Sequence, residues 1–177
     1  MTRHFLHICL AIVLFSTTLT GCKTVQKIGQ VLKNPDIQVG DRSDQPSDVT
    51  VTLLTEPDTN ANADGEAAAV DTQLLYMSED SKLQAADYDT VASTALSDVL
   101  GKNYIDHQDF SLLPDTMKTL PPVKLDTKTR FIGVIAYLSD DQAAGWKQIE
   151  PVESTGHHYY LLVHVRQNSI DIKKEDK

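Results

Sequence analysis

A mainly β chain, folded as an antiparallel β-sandwich with a short helical insertion at about residues 81–101, is what the sequence predicts. Three observations carry it. Short stretches alternate apolar and polar residues, breaks rich in Pro, Gly and Asn separate them closely, and one stretch has the spacing of an amphipathic helix. The first strand places Val49, Val51 and Leu53 in alternation with Thr50, Thr52 and Leu54, bounded by Pro46 and Pro57. A second runs from Val70 to Met77, with Val70, Thr72, Leu74 and Tyr76 on one face. Between them lie Pro57, Asp58, Thr59, Asn60, Ala61, Asn62, Ala63, Asp64, Gly65 and Glu66, then three alanines. This is longer than the usual hairpin link and reads as a mobile surface loop.

Tyr88, Val91, Ala92, Ala95, Leu96, Val99 and Leu100 fall on one helical stripe, with Asp87 placed to cap its start and Gly101 its end. Ser93 and Thr94 are positioned to break it in two. A helix so patterned lies on an apolar surface, most simply a sheet face. Asp109 to Leu113 reads as a strand halted at Pro114, and Pro121-Pro122 as a loop. The apolar run Phe131–Leu138 suits a strand covered on both sides. Asp140-Asp141 makes a turn, and Trp146 to Ile149 begins another strand. From His157, Tyr159, Leu161, Val163 and Val165 share one face; Gln167-Asn168 turns the chain, and Ser169 to Lys173 pairs back as a hairpin. The total is seven or so strands in one domain, residues 48–177, with no internal repeat.

The N-terminus is organised differently. One cation, Arg3, precedes an apolar run from Phe5 to Phe15, too short for the ~20 residues of a membrane-spanning helix but suited to a secretory signal. Leu19-Thr20-Gly21-Cys22 closes it in the pattern of a bacterial lipobox. The expectation is cleavage of a signal peptide, residues 1–21, and covalent lipid on Cys22: diacylglycerol on the thiol and an acyl chain on the new amine. Each buried methylene contributes ~0.8 kcal/mol, so three chains anchor the protein durably. By the general sorting rule of such lipoproteins, Lys23 after the cysteine directs the chain to the outer membrane, with the polypeptide in the periplasm. Residues 22–47 read as the lipidated end and a flexible tether, its helix potential broken by Gly29, Pro35 and Gly40; 25 flexible residues span about 28 Å.

Composition narrows the function. Loss of residues 1–21 leaves 156 of the 177 residues and removes one cation and no acid, so the net charge moves from −9 to −10. That balance argues against nucleic acid and against electrostatic attraction to anionic headgroups. With Cys9 removed and Cys22 acylated, no free thiol remains for disulfide, metal or nucleophilic chemistry. His157 and His158 point to opposite faces of one strand, and His158 and His164 stand about 20 Å apart along it, so they do not share an ion; His107 is distant in sequence. No nucleophile elbow, phosphate loop or zinc-protease motif appears. Trp146, the single tryptophan, reads as a core anchor. The chain is expected not to be an enzyme and to need no cofactor, metal or small-molecule substrate. The alternative is a lipid-anchored periplasmic module that binds sugar or peptidoglycan through Trp146, Tyr137, Tyr159 and Tyr160.

Pro35-Asp36-Ile37-Gln38-Val39-Gly40 soon after the lipobox, followed by a threonine-rich first strand, resembles the TssJ family (also SciN or VasD), outer-membrane lipoproteins of the type VI secretion system. Phe131 to Tyr137 followed by Ala144-Gly145-Trp146-Lys147 resembles the family's aromatic-ended strand and its Trp-Lys/Arg pair. Order and spacing match over the mature chain. Glu56-Pro57-Asp58 with an alanine-rich loop departs from the family's asparagine-proline-aspartate turn and proline-rich second strand. The resemblance implies a transthyretin-like sandwich and a structural role. The protein would tether the membrane core complex by binding the periplasmic C-terminal domain of TssM, with TssL in the same complex. It also implies that the loop from Pro57 to about Asp71 carries much of that contact.

Overall fold

The structure is a computed structural model that describes residues 42–140 and 145–177. The signal segment, Cys22, Lys23, most of the tether and Asp141 lie outside the described residues. Nine strands are described: β1 (Asp48–Thr55), β2 (Val70–Met77), β3 (Tyr104–Leu112), β4 (Met117–Thr119), β5 (Val123–Lys124), β6 (Phe131–Tyr137), β7 (Lys147–Pro151), β8 (His158–Val165) and β9 (Ile170–Asp176). Between β2 and β3 come three short helices, α1 (Ser81–Ala85), α2 (Tyr88–Ser93) and α3 (Leu96–Leu100).

The strands form two sheets. In one, β4 and β5 both pair with β1, which is followed by β8 and β9; in the other the order is β3-β2-β6-β7. The expected sandwich is present, with one difference. β1 and β8 run parallel over their whole length, from Asp48↔His158 to Thr55↔Val165, so that sheet is mixed. A parallel neighbour needs a long crossover, which the entire second sheet supplies here. Alternation of side chains carries no information on strand direction, so the sequence reading missed it.

The core follows the alternation. Val49, Val51 and Leu53 of β1 and Tyr159, Leu161, Val163 and Val165 of β8 are buried, as are Leu74, Tyr76, Ile132 and Val134 of the other sheet. β6 is covered on both faces, as its unbroken apolar run requires, because α1 lies over its outer side. A Cβ on Gly133 would stand 2.9 Å from both Leu83 Cδ2 and Met77 Cε, so the absent side chain makes the room that Leu83 occupies.

The helical stripe is cut in two at Ser93 and Thr94, as expected, giving α2 and α3, and the separate short helix α1 precedes it. Asp87 caps α2 by accepting Thr90 N–H at 2.7 Å. At its end Ser93 Oγ donates back to Asp89 O at 2.6 Å, a side-chain bond that competes with continuing the helix. Gly101, at φ 53°, ends α3. Ala92 and Ala95 are exposed, so the buried stripe reduces to Val91, Leu96 and Leu100 with Tyr88 and Val99 packed beside them. The C-terminal carbonyls of α1 converge on one ammonium. Lys147 Nζ donates to Leu83 O, Gln84 O and Ala86 O at 2.7, 2.9 and 2.6 Å, and lies 4.6 Å from the Trp146 ring centre. Trp146 in turn meets Tyr88 edge-on at 5.4 Å. The Trp146-Lys147 pair thus joins the helical segment to the edge of its sheet.

β3 begins five residues earlier than Asp109, because a register shift at Tyr76/Met77 disturbs the alternation around Tyr104 and Asp106. The folded domain also begins before residue 48. Gly156 N–H donates to Gln45 O at 2.8 Å, Pro46 bridges Thr155, and Ser47 is fully buried, so the end of the segment read as tether is docked.

Candidate protein-docking end

Strand register places four connections at one end of the sandwich. Thr55 pairs with Val165, Leu54 with Met117, Val70 with Leu112 and Asp71 with Tyr137. The β1–β2 loop (56–69), the β3–β4 turn (113–116), the exit of β6 at Leu138 and the β8–β9 turn (166–169) therefore share that end.

The β1–β2 loop is built, not slack. Thr59 is 0% exposed; its Oγ1 donates to Val165 O at 3.0 Å, and its carbonyl accepts Ala68 N–H at 3.2 Å. Asn60 sits at φ 53°, a left-handed conformation that asparagine tolerates. Its side chain is buried and bonded twice: Nδ2 donates to Ala69 O at 2.7 Å and Oδ1 accepts Ser139 N–H at 2.6 Å. Beyond this base, Asn62 organises the tip. Asn62 Oδ1 accepts the N–H groups of Asp64 and Glu66 at 3.0 and 2.9 Å, and Gly65 supplies the positive φ of 80° that closes the turn. The expectation of a mobile loop gives way to a buried clamp with an ordered cap. Of the residues read as the contact loop, Thr59 and Asn60 face inward, Ala61 is half-buried, and Pro57, Asp58, Asn62, Ala63, Asp64, Gly65 and Glu66 are exposed.

Two neighbours that the sequence reading did not single out stand beside it. Leu113 and Met117 are 63% and 72% exposed, large apolar side chains at the base of the β3–β4 turn. That turn is fastened to the loop: Thr55 Oγ1 donates to Leu113 O at 2.6 Å, Thr116 N–H donates to Thr55 Oγ1 at 2.9 Å, and Asp115 N–H donates to Glu56 O at 3.1 Å. The end therefore presents the carboxylates of Asp58, Asp64 and Glu66 next to an apolar pair. Residues 56–69 contain no lysine or arginine. Leu113 next to Pro114 was legible only as the end of a strand; exposure is decided by the turn.

The histidines are dispersed. His107 Nδ1 lies 2.6 Å from Tyr104 Oη, His157 Nδ1 2.7 Å from Asp176 Oδ2, His158 Nδ1 2.6 Å from Asp48 Oδ2 and His164 Nε2 2.9 Å from Glu56 Oε1. Each thus has its own partner, and no group of three or more His, Cys, Asp or Glu with metal-site geometry occurs among the described residues. The aromatic residues of the sugar-binding alternative do not form a platform. Trp146 and Tyr159 are core residues, 8% and 4% exposed, while Tyr160 is exposed elsewhere on β8. Tyr137 is half-buried, its hydroxyl donating to Gln73 Oε1 at 2.6 Å, and burial pushes its phenol up to about 12. No described helix is long and apolar enough to cross a membrane.

The fold has solved relatives. The T6SS lipoprotein TssJ1 from Pseudomonas aeruginosa matches with TM-score 0.68 and 26% identity, covering 73% of this chain and 97% of that one. Lip from Serratia marcescens, a membrane-bound component of the type VI secretion system, matches with TM-score 0.64 and 19% identity, over 71% of this chain and 96% of that one. A chain in the structure of the T6SS protein TssM C-terminal domain from EAEC matches with TM-score 0.58 and 17% identity, over 71% and 97%. No curated protein matches the sequence. Residues 47–168, from the start of β1 through the β8–β9 turn, match the family model T6SS-SciN: type VI secretion lipoprotein, VasD, EvfM, TssJ. The chain belongs to this family of type VI secretion lipoproteins.

Proposed function

We propose that this protein is a structural, non-enzymatic connector of the type VI secretion system. Lipid on Cys22 holds it in the outer membrane, Lys23 permits that destination, and the loop end of the sandwich binds the periplasmic C-terminal domain of TssM, with TssL in the same complex. Pulling force on the secretion channel then passes through one protein contact to acyl chains in the bilayer. The observation that carries the reading is the ordered acidic cap at Asn62–Glu66, held on a buried clamp at Thr59 and Asn60. Such a loop is ordered before it binds, so little ordering entropy is lost on association. The flanking Leu113 and Met117 supply apolar area that the carboxylates alone lack.

The test keeps the clamp and changes the cap. Replacement of Asp58, Asp64 and Glu66 by lysine, measured by calorimetry against the TssM C-terminal domain, is expected to weaken binding by roughly ten-fold or more, with a smaller effect at high salt. Unchanged affinity in the charge-reversed protein, at an unchanged unfolding temperature, would overturn the loop as the contact.

A further inference from the structure

The outer edge of β3 pairs with no strand among the described residues, since β3 ends its sheet. Its geometry says which groups are open. Arg130 N–H donates to Met77 O at 2.9 Å, so the odd-numbered residues of β2 bond toward β6 and the even-numbered ones toward β3. Through the register Thr72↔Phe110 and Leu74↔Gln108, the even residues of β3 are then the bonded ones. His107, Asp109 and Ser111 direct their backbone groups out of the sheet. His107 N–H is consistent with this, because it is taken by the side chain of Asp106 at 2.9 Å.

Two concavities flank this edge, one on each face. On the outer face, Asp71, Gln73, Asp109 and Tyr137 line a space of about 530 Å³. On the inner face, between the two sheets, Tyr76, Ile105, Gln108, Val123 and Thr129 line one of about 310 Å³. Thr129 is 0% exposed and its Oγ1 has no hydrogen-bond partner among the described residues. A strand added to a sheet edge sends alternate side chains to opposite faces, and pockets for those side chains give such docking its specificity. The edge is acidic: Asp71 and Asp109 line the outer concavity, Asp106 and Asp126 the inner one beside Lys124, and Asp109 accepts Gln73 Nε2 at 2.8 Å and lies 3.5 Å from His107 Nε2.

We propose that the edge of β3 from His107 to Ser111 is a second docking site, which takes an extended segment of a partner protein as an added strand. The segment alternates basic residues with small β-branched ones. Its basic side chains lie over Asp71 and Asp109, and its valine or threonine side chains enter the space beside Tyr76, Val123 and Thr129. A second copy of this chain fits poorly, because the antiparallel β3–β3 register that matches His107 with Ser111 sets Asp109 directly against its own copy. The register shift at Tyr76/Met77 limits the open run to about five residues, so the contact is short and adjoins the loop end only at Ser111, which pairs with Asp71.

The test uses the full chain and a blocked eight-residue peptide alternating lysine and valine, followed by fluorescence anisotropy and amide exchange. N-methylation of one alternate set of peptide amides is expected to weaken binding by roughly ten-fold or more, while methylation of the other set leaves it intact, because only one set faces β3. Asp71→Asn with Asp109→Asn lowers affinity without altering thermal unfolding, and bound peptide protects the amides of Asp109 and Ser111 from exchange. Equal binding by both methylated peptides would reduce the effect to charge and overturn the proposal. Protection of those amides without peptide, whether by another segment of this chain or by dimerisation, would overturn it as well.

Discussion

Asn60 Oδ1 accepts the backbone N–H of Ser139 at 2.6 Å, and this bond ties the loop leaving one sheet to the strand exit of the other. The same side chain donates to Ala69 O, so a single buried amide fixes both ends of the β1–β2 loop to the sandwich. Asn60→Ala takes the side-chain partner from the Ala69 carbonyl and the Ser139 N–H, both in part-buried bonds, and places alanine at φ 53°. The expected cost is about 1–3 kcal/mol. Asn60→Gly relieves the backbone and still loses both bonds. Thermal unfolding should rank wild type above Gly above Ala, and amide exchange should show residues 61–68 opening in both variants.

Gly145 lies against β9. A Cβ there would stand 2.7 Å from Ser169 Cβ and 3.1 Å from its Cα, and Ile170 N–H donates to Gly145 O at 2.8 Å. Backbone has to move to admit even a methyl group, so Gly145→Ala is expected to destabilise by about 1–3 kcal/mol, read by denaturant titration. Gly133→Ala meets only the flexible ends of Leu83 and Met77 and should cost less. Equal losses at the two sites would refute the backbone argument.

Acid sensitivity has one traceable source in Asp87. Thr90 N–H and its hydroxyl hold the carboxyl below its ordinary 3.8. The unfolded chain binds the proton more readily, so the stabilisation is complete above that value and is lost as pH falls through the lower folded value. The stability gap between wild type and Asp87→Ala should be constant at neutral pH and shrink below pH 3.8, as measured by urea unfolding across that range. A gap that stays constant into strong acid would show that the carboxylate does not cap α2.

Cys22→Ser separates the two ends of the proposed connector. The variant is expected to fold and to bind TssM as wild type does, to leave the membrane fraction on envelope fractionation, and to fail to support secretion. Membrane retention of the serine variant would remove the lipid from the mechanism.

Much of the sandwich was legible before any coordinates because burial writes itself into alternation. Val49, Val51 and Leu53 in β1 and Tyr159 to Val165 in β8 face the core as their period of two requires. The cap at Asp87 and the stop at Gly101 were equally readable, since each acts on its own neighbours. β4 and β5, of three and two residues, were not, because a period cannot be recognised in so few positions.

The sequence by itself determined the β class, the helical insertion, the lipobox pattern and the position of the long acidic loop. These depend on residues adjacent in the chain or at fixed helical and strand spacings. Tertiary structure alone decided that β1 and β8 run parallel, that Thr59 and Asn60 turn inward, and that Leu113 and Met117 stand exposed beside the loop. It also decided that β3 is an open edge between two concavities. Each of these is a pairing between segments far apart in sequence, such as Asn60 with Ser139, and such choices are set by which surfaces pack together rather than by local propensity.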